Sequence, residues 1–78
     1  MRIIRSVEVQ TTKGGFYKVG LICIGKDTPV SYIQQRQVES QSGDVYSAYD
    51  VYDFNDEVMV TIENCPVIVM FETEANSI

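Results

Sequence analysis

Val30-Ser31-Tyr32-Ile33-Gln34-Gln35-Arg36-Gln37-Val38-Glu39-Ser40, then Gln41-Ser42-Gly43-Asp44, then Val45-Tyr46-Ser47-Ala48-Tyr49-Asp50-Val51-Tyr52-Asp53-Phe54, is the stretch that decides the fold. It reads two ways. Thr28-Pro29 can open a helix, Ser31-Tyr32-Ile33-Gln34 fits the capping-box pattern, and the Gln-Gln-Arg-Gln run is a good helix former. Against a helix, Val30, Tyr32, Ile33 and Val38 do not gather on one helical face, because Tyr32 falls opposite Val30. As strands, residues 30–40 and 45–54 pair across the turn at 41–44, and the second of them is rich in valine and tyrosine. The hairpin is the preferred reading. The alternative is an α+β domain with one short helix around residues 29–40 packed on the sheet.

Outward from this stretch the strand signals continue. Asn55-Asp56 turns the chain, residues 57–63 alternate Val58, Val60 and Ile62 against Met59, Thr61 and Glu63, and Asn64-Cys65-Pro66 breaks the run because proline cannot donate to a ladder. Residues 67–72 form a strand that is apolar on both faces, and 74–78 make a polar tail. Upstream, residues 2–10 alternate loosely, with Ile3, Val7 and Val9 on one side and Ile4, Ser6 and Glu8 on the other. Thr11-Thr12-Lys13-Gly14-Gly15 turns into a second two-faced strand over 16–25.

These signals predict a mainly β fold: a small antiparallel meander of five to six strands closing as a barrel or sandwich. Residues 1–73 make one compact domain. A single open sheet leaves one face wet, which conflicts with Tyr17, Leu21, Ile68 and Met70 all requiring cover. A chain of 78 residues buries only about 60% of the surface its unfolded form exposes, so small domains usually need a staple. Two cysteines and no histidine supply neither a disulfide framework nor a zinc ligand set. Self-association is the expected source of the missing stability, and the chain is expected to form a homo-oligomer.

The missing chemistry narrows the function. Without histidine there is no histidine-based nucleophile or general base, and the glycines do not spell a phosphate loop. Asp50 and Asp53, three apart on a strand, fall on opposite faces and make no acid–base dyad. Cys23 lies in an apolar segment where burial makes a thiol inert, and Cys65 sits at a turn. The acids fit no EF-hand spacing. Neither an enzyme nor a cofactor is expected.

Charge is segregated along the chain. All six bases fall by residue 36 with only two acids, whereas nine acids and no base follow, for a net charge of −5. The densest part alternates acids with aromatics, and Asp44, Tyr46, Tyr49, Asp50, Tyr52, Asp53, Asp56 and Glu57 are the candidate binding residues. Carboxylates attract a basic partner surface and speed the encounter, while tyrosines anchor the contact. The expected function is therefore a non-enzymatic protein-binding module, an inhibitor by its size and acidity, of the general character of small phage-encoded antagonists. Acids that merely solvate a surface, and tyrosines that merely suit strands, are the plain alternative.

Three further readings stand beside it. One is a small-molecule or nucleotide binder with a pocket at a subunit interface, where Arg36 or Lys18 meets an anion. Another is a structural subunit of an assembly. The third sets Arg2, Arg5, Lys13, Lys18 and Lys26 with Phe16 and Tyr17 in a cationic aromatic surface for single-stranded nucleic acid, which the net acidity disfavours. No apolar run approaches a membrane span of about 18 residues, so no membrane association is expected. The expected location is the cytoplasm, or the host cytoplasm for a phage protein.

Overall fold

The structure, a computed structural model, describes residues 3–72. Its elements are β1 (Ile4–Val9), β2 (Phe16–Lys18), β3 (Tyr32–Glu39), β4 (Val45–Tyr52), β5 (Val58–Glu63) and β6 (Val67–Phe71), with no helix among the described residues. They form two three-stranded antiparallel sheets, in the orders β2-β1-β6 and β3-β4-β5. No closed barrel is formed among the described residues. The polar tail assigned to 74–78 lies outside them.

The ambiguous stretch is a strand pair, and the helix over 29–40 does not form. Pairing explains why: it sets Ile33 beside Val51 in the core and Tyr32 beside Tyr52 on the opposite face, where a helix would have scattered them. The second sheet is a meander. The first is not, because β6 returns from the far end of the chain to occupy the free side of β1. With β2 only three residues long, β1 finds most of its pairing there.

The expected strand over 16–25 ends at Lys18. Gly20 (φ 93°) and Gly25 (φ 79°) take left-handed conformations that a strand does not allow, and the chain leaves the sheet. It makes a looser excursion instead. Gly20 N–H donates to Val30 O, Val30 N–H to Leu21 O, and Cys23 N–H to Thr28 O. The excursion carries Cys23 and Val30 into the core and leaves Leu21, Ile22 and Ile24 outside.

Near the N-terminus a register shift between Ile4 and Ser6 also changes a sequence expectation. The extra residue resets the alternation, so that Ile4 joins Val7 in the core and Ile3 is exposed.

The core gathers Ile4, Val7, Cys23, Val30, Ile33, Val51 and Ile62, drawn from both sheets and the excursion, with Tyr17, Tyr49, Val67, Val69 and Phe71 packed around it. Strands β1 and β3 lie against each other. The radius of gyration is 13.4 Å, against about 11.5 Å for a compact chain of this length.

Candidate functional site

The acidic sheet is built on two turns of the same design. In the β3–β4 turn, Gly43 N–H donates to Ser40 O, Ser40 N–H donates to Asp44 O, and Gly43 (φ 90°) takes the left-handed position. In the β4–β5 turn, Asp56 N–H donates to Asp53 O, Asp53 N–H donates to Glu57 O, and Asp56 (φ 64°) takes that position. Each turn is pinned by the side chain that opens it. Ser40 Oγ accepts the Asp44 amide at 3.1 Å, and Asp53 Oδ1 accepts the Asn55 and Glu57 amides at 2.8 and 2.9 Å. Aspartate tolerates the left-handed region better than most residues. Asp56 is further held by the Tyr32 hydroxyl, which donates to its Oδ1 at 3.1 Å.

The outer face of this sheet carries its charge. Cross-strand rows there are Tyr32–Tyr52–Val58, Gln34–Asp50–Thr61 and Arg36–Ala48–Glu63. The Tyr32 and Tyr52 rings stack with centroids 4.5 Å apart and planes inclined by 7°. Partial burial, and then the bond to Asp56 amid neighbouring acids, holds the Tyr32 phenol above its ordinary pKa. Asp50 is buried. It accepts from Arg36 Nε at 2.7 Å, Arg36 Nη2 at 3.4 Å and Thr61 Oγ1 at 2.8 Å. The Arg36 hydrogen bond outweighs burial and, with the Thr61 bond, lowers the carboxyl's pKa.

The eight candidate residues are thus separated. Asp50 is consumed within the sheet by Arg36 and Thr61. Tyr49 points to the inner face and packs on the core, whereas Tyr46 lies on the outer face opposite Val38. Asp44 belongs to the β3–β4 turn, where its carboxylate accepts from Ser42 Oγ. That turn stands at the other end of β4, roughly 25 Å away at about 3.4 Å per residue. Tyr52, Asp53, Asp56 and Glu57 remain together at the β4–β5 turn, with Asp53 serving as its internal cap.

Sequence reasoning missed the two apolar residues at this end. Phe54 stands 69% exposed at the tip of the turn, and Val58 is exposed beside the tyrosine stack. The available signal was position: Phe54 directly precedes Asn55-Asp56, and a large aromatic at a turn has no neighbour strand to cover it. Phe54 shares the turn with Asp53, Asp56 and Glu57, on a loop fixed by four backbone and side-chain bonds.

The other candidate chemistries are dispersed. Arg36 is engaged by Asp50, and Lys18 lines neither of two surface grooves found among the described residues. One groove, of about 420 Å³, is lined by Tyr46, Ser47, Tyr49, Asn64, Cys65, Pro66 and Val67. The other, of about 630 Å³, lies between Ile3, Ile4, Phe71 and β3 residues 32–35. In the basic half, Tyr17 turns inward onto the core while Phe16 faces out, so the two rings do not form one stacking surface. Among the described residues no three Cys, Asp or Glu side chains converge in a way that would hold a metal. No helix among them is long and apolar enough to cross a membrane.

The chain matches no protein-family model, no curated protein and no solved structure.

Proposed function

We propose that this chain is a non-enzymatic protein-binding module whose β4–β5 turn docks a basic surface on a partner, as a small inhibitor would. The observation that carries this is Phe54. A large aromatic side chain held in water on a rigid turn is a preorganised anchor, and anchors of this kind supply most of the energy of an interface. Asp56 and Glu57 around it supply attraction and orientation toward lysines and arginines. The acid load supports the same reading: residues 31–64 carry seven acids against Arg36 alone.

The module acts in the cytoplasm and has no role in binding nucleic acid. The two sheets form the layers of an open sandwich whose remaining face is covered by a second copy of the chain. The small-molecule reading has less support, because neither groove is lined by lysine or arginine.

The test is quantitative binding of the captured partner by three variants. Phe54→Ser removes the anchor and should weaken binding by roughly thirtyfold, the equivalent of about 2 kcal/mol. Glu57→Lys should slow association and flatten its salt dependence. Gln41→Lys at the opposite turn should leave affinity unchanged. Binding that survives Phe54→Ser at full strength would remove the β4–β5 turn from the interface.

A further inference from the structure

We infer that the outer face of the β2-β1-β6 sheet is the surface on which two copies of this chain meet, which gives the self-association part of the reading above a definite location. The register places Phe16, Glu8 and Ile68 in one row across the three strands, and Lys18, Ser6 and Met70 in the next. Phe16, Ile68 and Met70 are exposed by 45%, 48% and 57%, and no element among the described residues covers them. On a folded small domain such a face is an interaction surface.

The charges on it select the occupant. Within these two rows, beside the three apolar side chains, stand one acid, Glu8, and one base, Lys18, while Arg5 and Glu72 lie exposed at the next position along the face. Glu8 and Lys18 are diagonal neighbours on adjacent strands, about 7–8 Å apart. Neither has an ion-pair partner among the described residues, where Arg36–Asp50 is the pair that forms. A two-fold axis lying in the interface midway between them exchanges their positions. Glu8 of each copy then faces Lys18 of the other, and on an ideal pleated grid Phe16 falls near Phe16 and Met70 near Met70. The face is self-complementary in charge, and the same axis brings its apolar side chains against their own counterparts.

Long-range charge favours the same occupant. The acidic sheet and its turns (residues 31–64) carry −6, from one base and seven acids, whereas the remaining described residues carry +1, from four bases and three acids. Two copies meeting through β2-β1-β6 hold their acid loads apart, while a basic partner is drawn to the opposite sheet. Area sets the strength. Three strands of about five residues cover roughly 250 Å², well short of the ~800 Å² per partner of a standard interface. The excursion leaving β2, with half-exposed Val19, Leu21, Ile22 and Ile24, adds to it. The dimer is therefore a weak one.

Sedimentation equilibrium on the full chain at low salt, up to about 500 µM, reads this out. The wild type should show a monomer–dimer equilibrium. Met70→Lys, at an exposed position, should be monomeric with an unchanged circular-dichroism spectrum. Glu8→Lys and Lys18→Glu should each raise the dissociation constant about tenfold, since each makes two like-charge contacts. Mixing those two variants should restore the dimer, because every contact in the mixed dimer is again opposite in sign. A wild type monomeric throughout would overturn the self-association reading as a whole. A dimer indifferent to Met70→Lys would overturn this face alone, and a mixture no tighter than either variant would overturn the two-fold pairing.

Discussion

Asp50→Asn is the substitution that most sharply tests how the acidic sheet is built. The wild-type carboxylate is 6% exposed and accepts from Arg36 twice and from Thr61 once. Hydrogen bonds to a charged group contribute about 1.5–3 kcal/mol each when buried. Here the figure must be discounted, because the Arg36 side chain is 51% exposed and returns to water when released. Thr61 is exposed as well. Asparagine keeps one acceptor and offers an NH₂ group that the Thr61 hydroxyl can accept, so the net loss is the ion pair and one charged bond. That comes to about 1.5 kcal/mol, or a fall in Tm of roughly 6–12 °C for a domain of this size.

Urea denaturation at pH 7 should show a lower midpoint at unchanged slope. The pH dependence carries the sign. Because the folded pKa of Asp50 lies below its unfolded value, its contribution is complete above about pH 3.9 and is lost as pH falls through the folded pKa. The gap between wild type and Asp50→Asn should therefore be constant from pH 7 to 5 and close below pH 4. A variant within 0.3 kcal/mol of wild type at pH 7, a threshold of about the usual additivity error, would refute the structural role given to this carboxylate. So would a gap that persists unchanged into acid.

Two further outcomes follow from the same geometry. Gly43→Ala should cost about 1–2 kcal/mol by denaturation, all of it backbone strain at φ 90°, since nothing lies within 4 Å of the added methyl. The two thiols should separate kinetically under a thiol reagent. Half-buried Cys65 should react in the native state, while Cys23, 1% exposed and with its pKa pushed up by burial, should react only on unfolding.

Much of the acidic sheet was legible because its signals are local. Gly43 and Asn55-Asp56 mark turns by backbone preference, and period-two alternation between them leaves β4 little choice of face. The partner of β6 was not legible, because it is set by which edge of β1 lies open at the other end of the chain. Nor was the excursion at 19–30: Leu21, Ile22 and Ile24 look like a buried strand until Gly20 and Gly25 are seen to break it. The candidate site was legible as composition but not as geometry. Asp50 and Tyr49 have the residue types of a binding surface, yet pairing with Arg36 and packing on the core occupy them. Phe54 was overlooked because an aromatic within a strand-like run reads as covered. A substitution pair at Asp50 and Asp53 would accordingly probe sheet and turn stability, and Phe54 and Glu57 are the positions that probe binding.

Site-specific photo-crosslinking at position 54 tests the proposed docking most directly. A photoreactive phenylalanine analogue in place of Phe54 should give one covalent adduct, to a protein with a basic surface, in a lysate of the source cell. That adduct should fade with added salt and with Glu57→Lys, and the same analogue at Gln41 on the opposite turn should not form it. No adduct from position 54, or the same adduct from both turns, would contradict docking through the β4–β5 turn.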